Sequence, residues 1–218
     1  EGDYEAIYTY VKYRKLPVEV YEDLGFLGKH VIAAQFVNTK ESELKILKKY
    51  DVNLAHVPLS NCEVGGGIAP LYEALALGIN VGLGTDGYIN NMLEILRFAF
   101  LVHKARLKNP LVISADDVIK MATVNGGMAL DAPIGRISPG YLADMVLLEF
   151  KPQLITQDNL LTNLILYGAD YAKVDTVIVH GKVVMENGIV KTVDEEKVTE
   201  ELRKSVISFW DKIRSKIK

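Results

Sequence analysis

Asn80-Val81-Gly82-Leu83-Gly84-Thr85-Asp86-Gly87 climbs as an apolar strand to a carboxylate, turns at glycine, and leads through Asn90-Asn91 into a long amphipathic run. In a parallel α/β protein the C-terminal ends of the strands open onto the site, so an acid placed there can ligate a metal or act as a base. Asx residues also cap turns and helix starts. Asp86 by itself therefore leaves both roles open.

Working outward, the same unit repeats upstream. Val31–Val37 is a short apolar run without clean alternation, as expected of a parallel strand buried on both faces. A helix over 41–50 follows, with Leu44, Ile46 and Leu47 on its apolar side. Val52–Val57 is the next strand, ended by Pro58. The loop Ser60-Asn61-Cys62-Glu63-Val64-Gly65-Gly66-Gly67 comes next, and Pro70 opens a helix. The strand at Asn80–Asp86 and a helix over 92–106 complete a third unit. Three strand–loop–helix units imply a parallel sheet. They are too few for a closed (β/α)8 barrel, which needs ~250 residues and eight strands. An open doubly wound sheet and the later portion of a barrel both fit.

The flanks differ in character. Glu5–Arg14 and Val18–Leu24 have helical spacing, separated by Lys15-Leu16-Pro17. Beyond Pro110, Ser114 and Asp117 stand at capping-box spacing ahead of a short helix. Ala143–Leu148 reads as a strand, and Val174–Met185 as a hairpin turning at His180-Gly181. Residues 194–218 form a final helix with Val198, Leu202, Val206, Phe209, Trp210, Ile213 and Ile217 on one stripe, expected to dock on its own protein. The chain thus divides at 1–134, 135–193 and 194–218.

Composition narrows the classes. An apolar content of 49% with 24% charged residues excludes a disordered chain. A net charge of -3 argues against a general nucleic-acid binder. One cysteine, Cys62, rules out an internal disulfide and fits a reducing cytoplasm, the expected location. No run of about 18 apolar residues occurs, so no membrane span is expected. The acidic start is not a signal peptide, and the chain reads as a piece of something longer. His30, His103 and His180 have no evident partner and read as structural or surface residues.

The ordered series His56-Val57-Pro58-Leu59-Ser60-Asn61, Gly67-Ile68-Ala69-Pro70, Gly78 through Gly87 and Asn90-Asn91 resembles the amidohydrolase superfamily. The branch it resembles is the metal-dependent deaminase and chlorohydrolase group that includes S-adenosylhomocysteine and 5'-methylthioadenosine deaminases. Gly135–Asp144 resembles that family's return from barrel to small β-sandwich, and Val179–Val184 its closing hairpin.

The resemblance implies the C-terminal portion of a (β/α)8 barrel, about three βα units, with strands of a small β-sandwich and a C-terminal helix. It implies a hydrolytic deaminase that uses metal-activated water on an adenosine- or triazine-like amino-heterocycle. Asp86 would hold the metal and take part in proton transfer. Glu1 would match the glutamate of the family's His-x-x-Glu motif, protonating a ring nitrogen. Ser60 and Asn61 would line the pocket near the reacting ring. Gln35 and His56 belong to the same substrate side, His56 close behind the metal's ligands. The metal would be zinc, with iron or manganese as further fits. Its remaining ligands are expected in a missing N-terminal half or a second chain, and a homo-oligomer is expected.

One departure stands out. The family carries a catalytic histidine where this chain reads Ala33-Ala34-Gln35-Phe36. Glutamine donates hydrogen bonds but carries no proton near neutral pH. A non-catalytic relative that keeps the scaffold and binds a ligand is therefore the alternative reading, and an unrelated open-sheet binding protein is a third.

Overall fold

The computed structural model describes residues 3–87, 90–151 and 159–217, and these form two compact units. The first comprises Glu1–Leu142 and Phe150–Ala172, the second Ala143–Glu149 and Lys173–Lys218.

The first unit is built on three parallel strands in the order β1 (Ile32–Ala34), β2 (Asn53–His56) and β3 (Val81–Leu83). Ala33 lies opposite Leu54, and His56 opposite Leu83. Helices α1 (Asp3–Tyr13) and α2 (Pro17–Asp23) precede β1, and α3 (Glu41–Lys49) links β1 to β2. Between β2 and β3 run α4 (Pro58–Glu63) and α5 (Leu71–Ala76). After β3 come α6 (Met92–Leu107), α7 (Ala115–Ala122), α8 (Val124–Ala129) and, later in the chain, α9 (Leu160–Tyr171). Leu44 and Leu47 of α3, Leu54, Val81, Leu96, Met121 and Ile165 meet in one buried cluster that seats the helices on the sheet.

Two local signals act as their chemistry dictates. Ser114 Oγ accepts from the Asp117 backbone N–H at 3.1 Å while the Asp117 carboxylate accepts from the Ser114 N–H at 2.9 Å, a reciprocal cap on α7. The Asn91 side chain accepts from the Leu93 N–H at 3.1 Å and starts α6. At the opposite rim, Asn80 donates to the Asn53 side chain and to the Asn125 carbonyl, and Asn125 donates to the Val81 carbonyl. These three amides join the strand starts to α8.

Three sequence readings change. The apolar run at Val31–Val37 is a strand only through Ala34, because Gln35 and Phe36 take φ of 70° and 41° and turn the chain out of the sheet. β1 is also not buried on both faces: Ile32 is 42% exposed and β1 lies at the edge of the sheet. Ser60 and Asn61 sit on a helix rather than a loop, since Pro58 at the first helical position favours helix start.

The second unit carries β4 (Met145–Phe150), β5 (Ala172–Val179), β6 (Lys182–Glu186) and β7 (Ile189–Val190) in sheet order β4-β5-β6-β7. β5 and β6 pair antiparallel around His180-Gly181, both with positive φ, the geometry of the tight turns that match strand twist. Helix α10 (Glu195–Ile217) closes the chain and buries none of its residues. Within its own unit, the expected docking of this helix is not found among the described residues. No described helix is long and apolar enough to cross a membrane.

Candidate active site

Three predicted site residues meet at the C-terminal ends of the strands. Asp86 follows β3 at φ 59°, Gln35 follows β1 at φ 70°, and Ser60 projects from α4 just after β2. Gln35 Nε2 donates to Asp86 Oδ2 at 3.0 Å, and Ser60 Oγ donates to the same oxygen at 2.9 Å. The Gly87 backbone N–H donates to Oδ1 at 2.7 Å. Left-handed backbone at a non-glycine residue costs of order 1–3 kcal/mol and persists where the surroundings over-determine it. Here it occurs at both ends of one hydrogen bond, between Gln35 and Asp86.

The electrostatics follow from those donors. The Ser60 hydroxyl, then Gln35, then the Gly87 N–H hold the Asp86 carboxyl below the usual carboxylate range. Asp86 is exposed and therefore ionised at neutral pH. A carboxylate offers about four acceptor sites, of which three donors leave one free on Oδ1. Asp86 thus fits one corner of a metal site, because a ligand must be deprotonated and keep a lone pair. A catalytic zinc normally takes three protein ligands, and no group of three or more His, Cys, Asp or Glu side chains gathers among the described residues.

The structure separates His56 from this trio. His56 is 1% exposed and its Nε2 lies 2.9 Å from His103 Nε2, with the Phe36 ring centroid 5.8 Å from its own. His103, read from the sequence as partnerless, is thus half of a buried pair. Across such a contact one ring donates and the other accepts, and neither Nδ1 has a partner among the described residues. Asn61 is also 1% exposed, and neither atom of its amide is partnered among the described residues. Glu1 lies outside the described residues. Gly87 reads in the sequence only as part of a turn, because no residue pattern marks a backbone N–H as a site group.

Strands that end on one rim, with an acid after the third, place the candidate site at the strand ends, as in parallel α/β enzymes. A profile of the amidohydrolase family matches residues 2–184, and the chain belongs to that family. Its relatives narrow the class. It is 40% identical over 196 residues to 5'-deoxyadenosine deaminase of Methanosarcina acetivorans, covering 88% of this chain and 45% of that protein. It is 40% identical over 211 residues to 5-methylthioadenosine/S-adenosylhomocysteine deaminase of Syntrophomonas wolfei, covering 93% and 48%. The named relatives are thus deaminases, hydrolases of C–N bonds. The chain spans about half the length of the curated relatives it matches.

Among solved structures, an adenosine deaminase from Xanthomonas campestris with bound zinc superposes at TM-score 0.86, with 24% identity, over 99% of this chain and 49% of that one. That likeness is one of fold. Atrazine chlorohydrolase from Arthrobacter aurescens, complexed with zinc, superposes at 0.77 with 25% identity over 90% and 45%. The mixed α/β architecture is that of the amidohydrolase fold.

Proposed function

We propose that this chain forms part of a metal-dependent hydrolytic deaminase that releases ammonia from an adenosine-type amino-heterocycle. One observation carries the reading: an ionised Asp86 at the strand ends, oriented by Ser60, Gln35 and Gly87, with one acceptor site unused. The adenosine-type substrate is supported by the named relatives at 40% identity. In this reading the three parallel strands belong to a (β/α)8 barrel whose other strands come from outside the chain, and residues 1–134, 135–193 and 194–218 are its barrel portion, its small β-sandwich strands with a connecting segment, and its C-terminal helix.

A divalent cation, zinc by the precedent of the atrazine chlorohydrolase structure, would when bound supply water of lowered pKa as the hydrolytic nucleophile. Asp86 would be one of its ligands, with the others outside the chain. This chain's own residues orient and hold charge. Ser60 and Gln35 fix the Asp86 carboxylate by its Oδ2, so that Oδ1 is the oxygen left to ligate or to take a proton. Gln35 cannot carry a proton, which leaves Asp86 as the proton acceptor of the trio. Asn61 keeps a donor and an acceptor unspent but is buried, and its place beside the substrate is assigned on the family resemblance. Glu1 is assigned proton donation to a ring nitrogen on the family resemblance.

The reading is tested in the full-length protein by ammonia release from 5'-deoxyadenosine and 5'-methylthioadenosine. Asp86→Asn is expected to lower the rate by at least ~10²-fold, the contribution typical of an acid–base group, with an unchanged circular dichroism spectrum. Unchanged turnover would remove Asp86 from the mechanism. A second reading, a ligand-binding relative without turnover, is favoured by Gln35 at the family's histidine position. It predicts binding of the same nucleosides with no ammonia released by the parent protein.

A further inference from the structure

Helix α10 presents an apolar stripe to solvent along its whole length. Val198, Leu202, Val206, Phe209, Ile213 and Ile217 recur at spacings of three and four, which places them on one face. None is buried; Phe209 is 58% and Trp210 51% exposed, their rings edge to face at 5.8 Å. Continuous apolar surface of this kind on a soluble protein marks an interaction site.

The charges identify the occupant. Up to Glu201 the helix carries Glu195, Glu196, Glu200 and Glu201 against Lys197. Beyond Leu202 it carries Arg203, Lys204, Lys212, Arg214 and Lys216 against Asp211. Acids in the first turn and bases in the last complement any helix dipole, but that effect fades within a turn of each end. Glu200 pairs with Lys204 within the helix at 2.7 Å, but Glu201 and Arg203 also lie beyond the first turn, where the dipole gives no reason for the division. A second such helix laid antiparallel sets each acidic half against a basic half. A parallel one sets like on like.

We propose that α10 pairs antiparallel with α10 of a second copy of this chain, about a two-fold axis near Ser205 and Val206. In that register Val198 lies opposite Ile213 of the other helix, and Leu202 opposite Phe209. The same patch serves both subunits, as a two-fold interface requires. Ser205 at the crossing is small and lets the two helices approach.

The test uses the full chain carrying Cys62→Ser, so that only introduced thiols react. Sedimentation across a concentration series is expected to show a dimer. Lys212→Glu, Arg214→Glu and Lys216→Glu together set acid against acid at both ends and raise the dissociation constant roughly tenfold or more. Adding Glu195→Lys, Glu196→Lys and Glu200→Lys restores the dimer. Val198→Cys chains mixed with Ile213→Cys chains are expected to form a disulfide-linked heterodimer under oxidation. Neither links to itself, because antiparallel pairing holds equivalent sites ~22 Å apart. A monomer at every concentration overturns the proposal, as does a dimer indifferent to the charge reversal or self-linking of either single-cysteine chain. Monomeric full-length protein in which α10 is protected from hydrogen exchange also overturns it, and assigns the stripe to cover by the rest of the polypeptide.

Discussion

Asp86 Oδ2 accepts two side-chain hydrogen bonds, and both donors can be removed without touching the carboxylate. Because those donors favour the ionised form, their loss raises the Asp86 midpoint toward the ordinary value. Ser60→Ala is expected to raise it more than Gln35→Leu, since the Ser60 hydroxyl is the larger cause of the lowering. Carboxyl-carbon NMR shifts followed against pH measure both directly. A midpoint unmoved by Ser60→Ala would separate that hydroxyl from Asp86. The same residues show what sequence can reveal. Asp86 was legible because an acid at the end of an apolar strand, ahead of glycine, has few places to go in a parallel sheet. Gln35 was legible as a departure from the family's pattern, but its left-handed backbone and its bond to Asp86, 51 residues away, depend on how two strands end side by side.

At the scale of elements, β2 and α6 are tied by the buried histidine pair. Burial, then the neighbouring His103, holds His56 well below the usual imidazole range. Burial, then the Arg106 charge, lowers His103 to about 4, with Glu73 opposing. Both histidines are therefore neutral in the fold, while the unfolded chain binds their protons near 6.5. Stability is full above that value and is lost as pH falls from 6.5 toward about 4, by on the order of 3 kcal/mol for His103. Urea unfolding followed by circular dichroism across this window is expected to show the loss. His56→Leu with His103→Leu should flatten it, whereas His103→Leu alone leaves a buried His56 nitrogen unpaired and costs about 1–3 kcal/mol. A slope unchanged in the double variant would place the titration elsewhere. The pair was invisible in the sequence because its members lie 47 positions apart and each reads as a lone histidine. The cap on α7 was legible because both its halves lie within four residues. The six-residue helix α4 was not, being too short to show a period.

For the whole molecule, the question is what meets the open edges of the three-stranded sheet. Among the described residues, β1 and β3 each pair on one side only. Gln35 N–H bonds to the Ala55 carbonyl, so in an alternating parallel ladder the amides of Ile32 and Ala34 face away from β2. An exposed edge of unpaired amides invites another strand. The three βα units were readable from apolar runs and breakers, yet nothing in such runs says whether a sheet stays open or closes, because closure is set by strand number and tilt. The proposed barrel makes a specific forecast at these amides. In the 218-residue chain, Ile32 and Ala34 should exchange their amide hydrogens fast while Leu54 of the central strand is protected. In full-length protein, or on adding a chain that supplies the preceding strands, both should become protected to the level of Leu54. Site-resolved hydrogen exchange by NMR reads all three together. Fast exchange at Ile32 and Ala34 in the complete protein would mean that β1 stays an edge, and the open doubly wound sheet would replace the barrel.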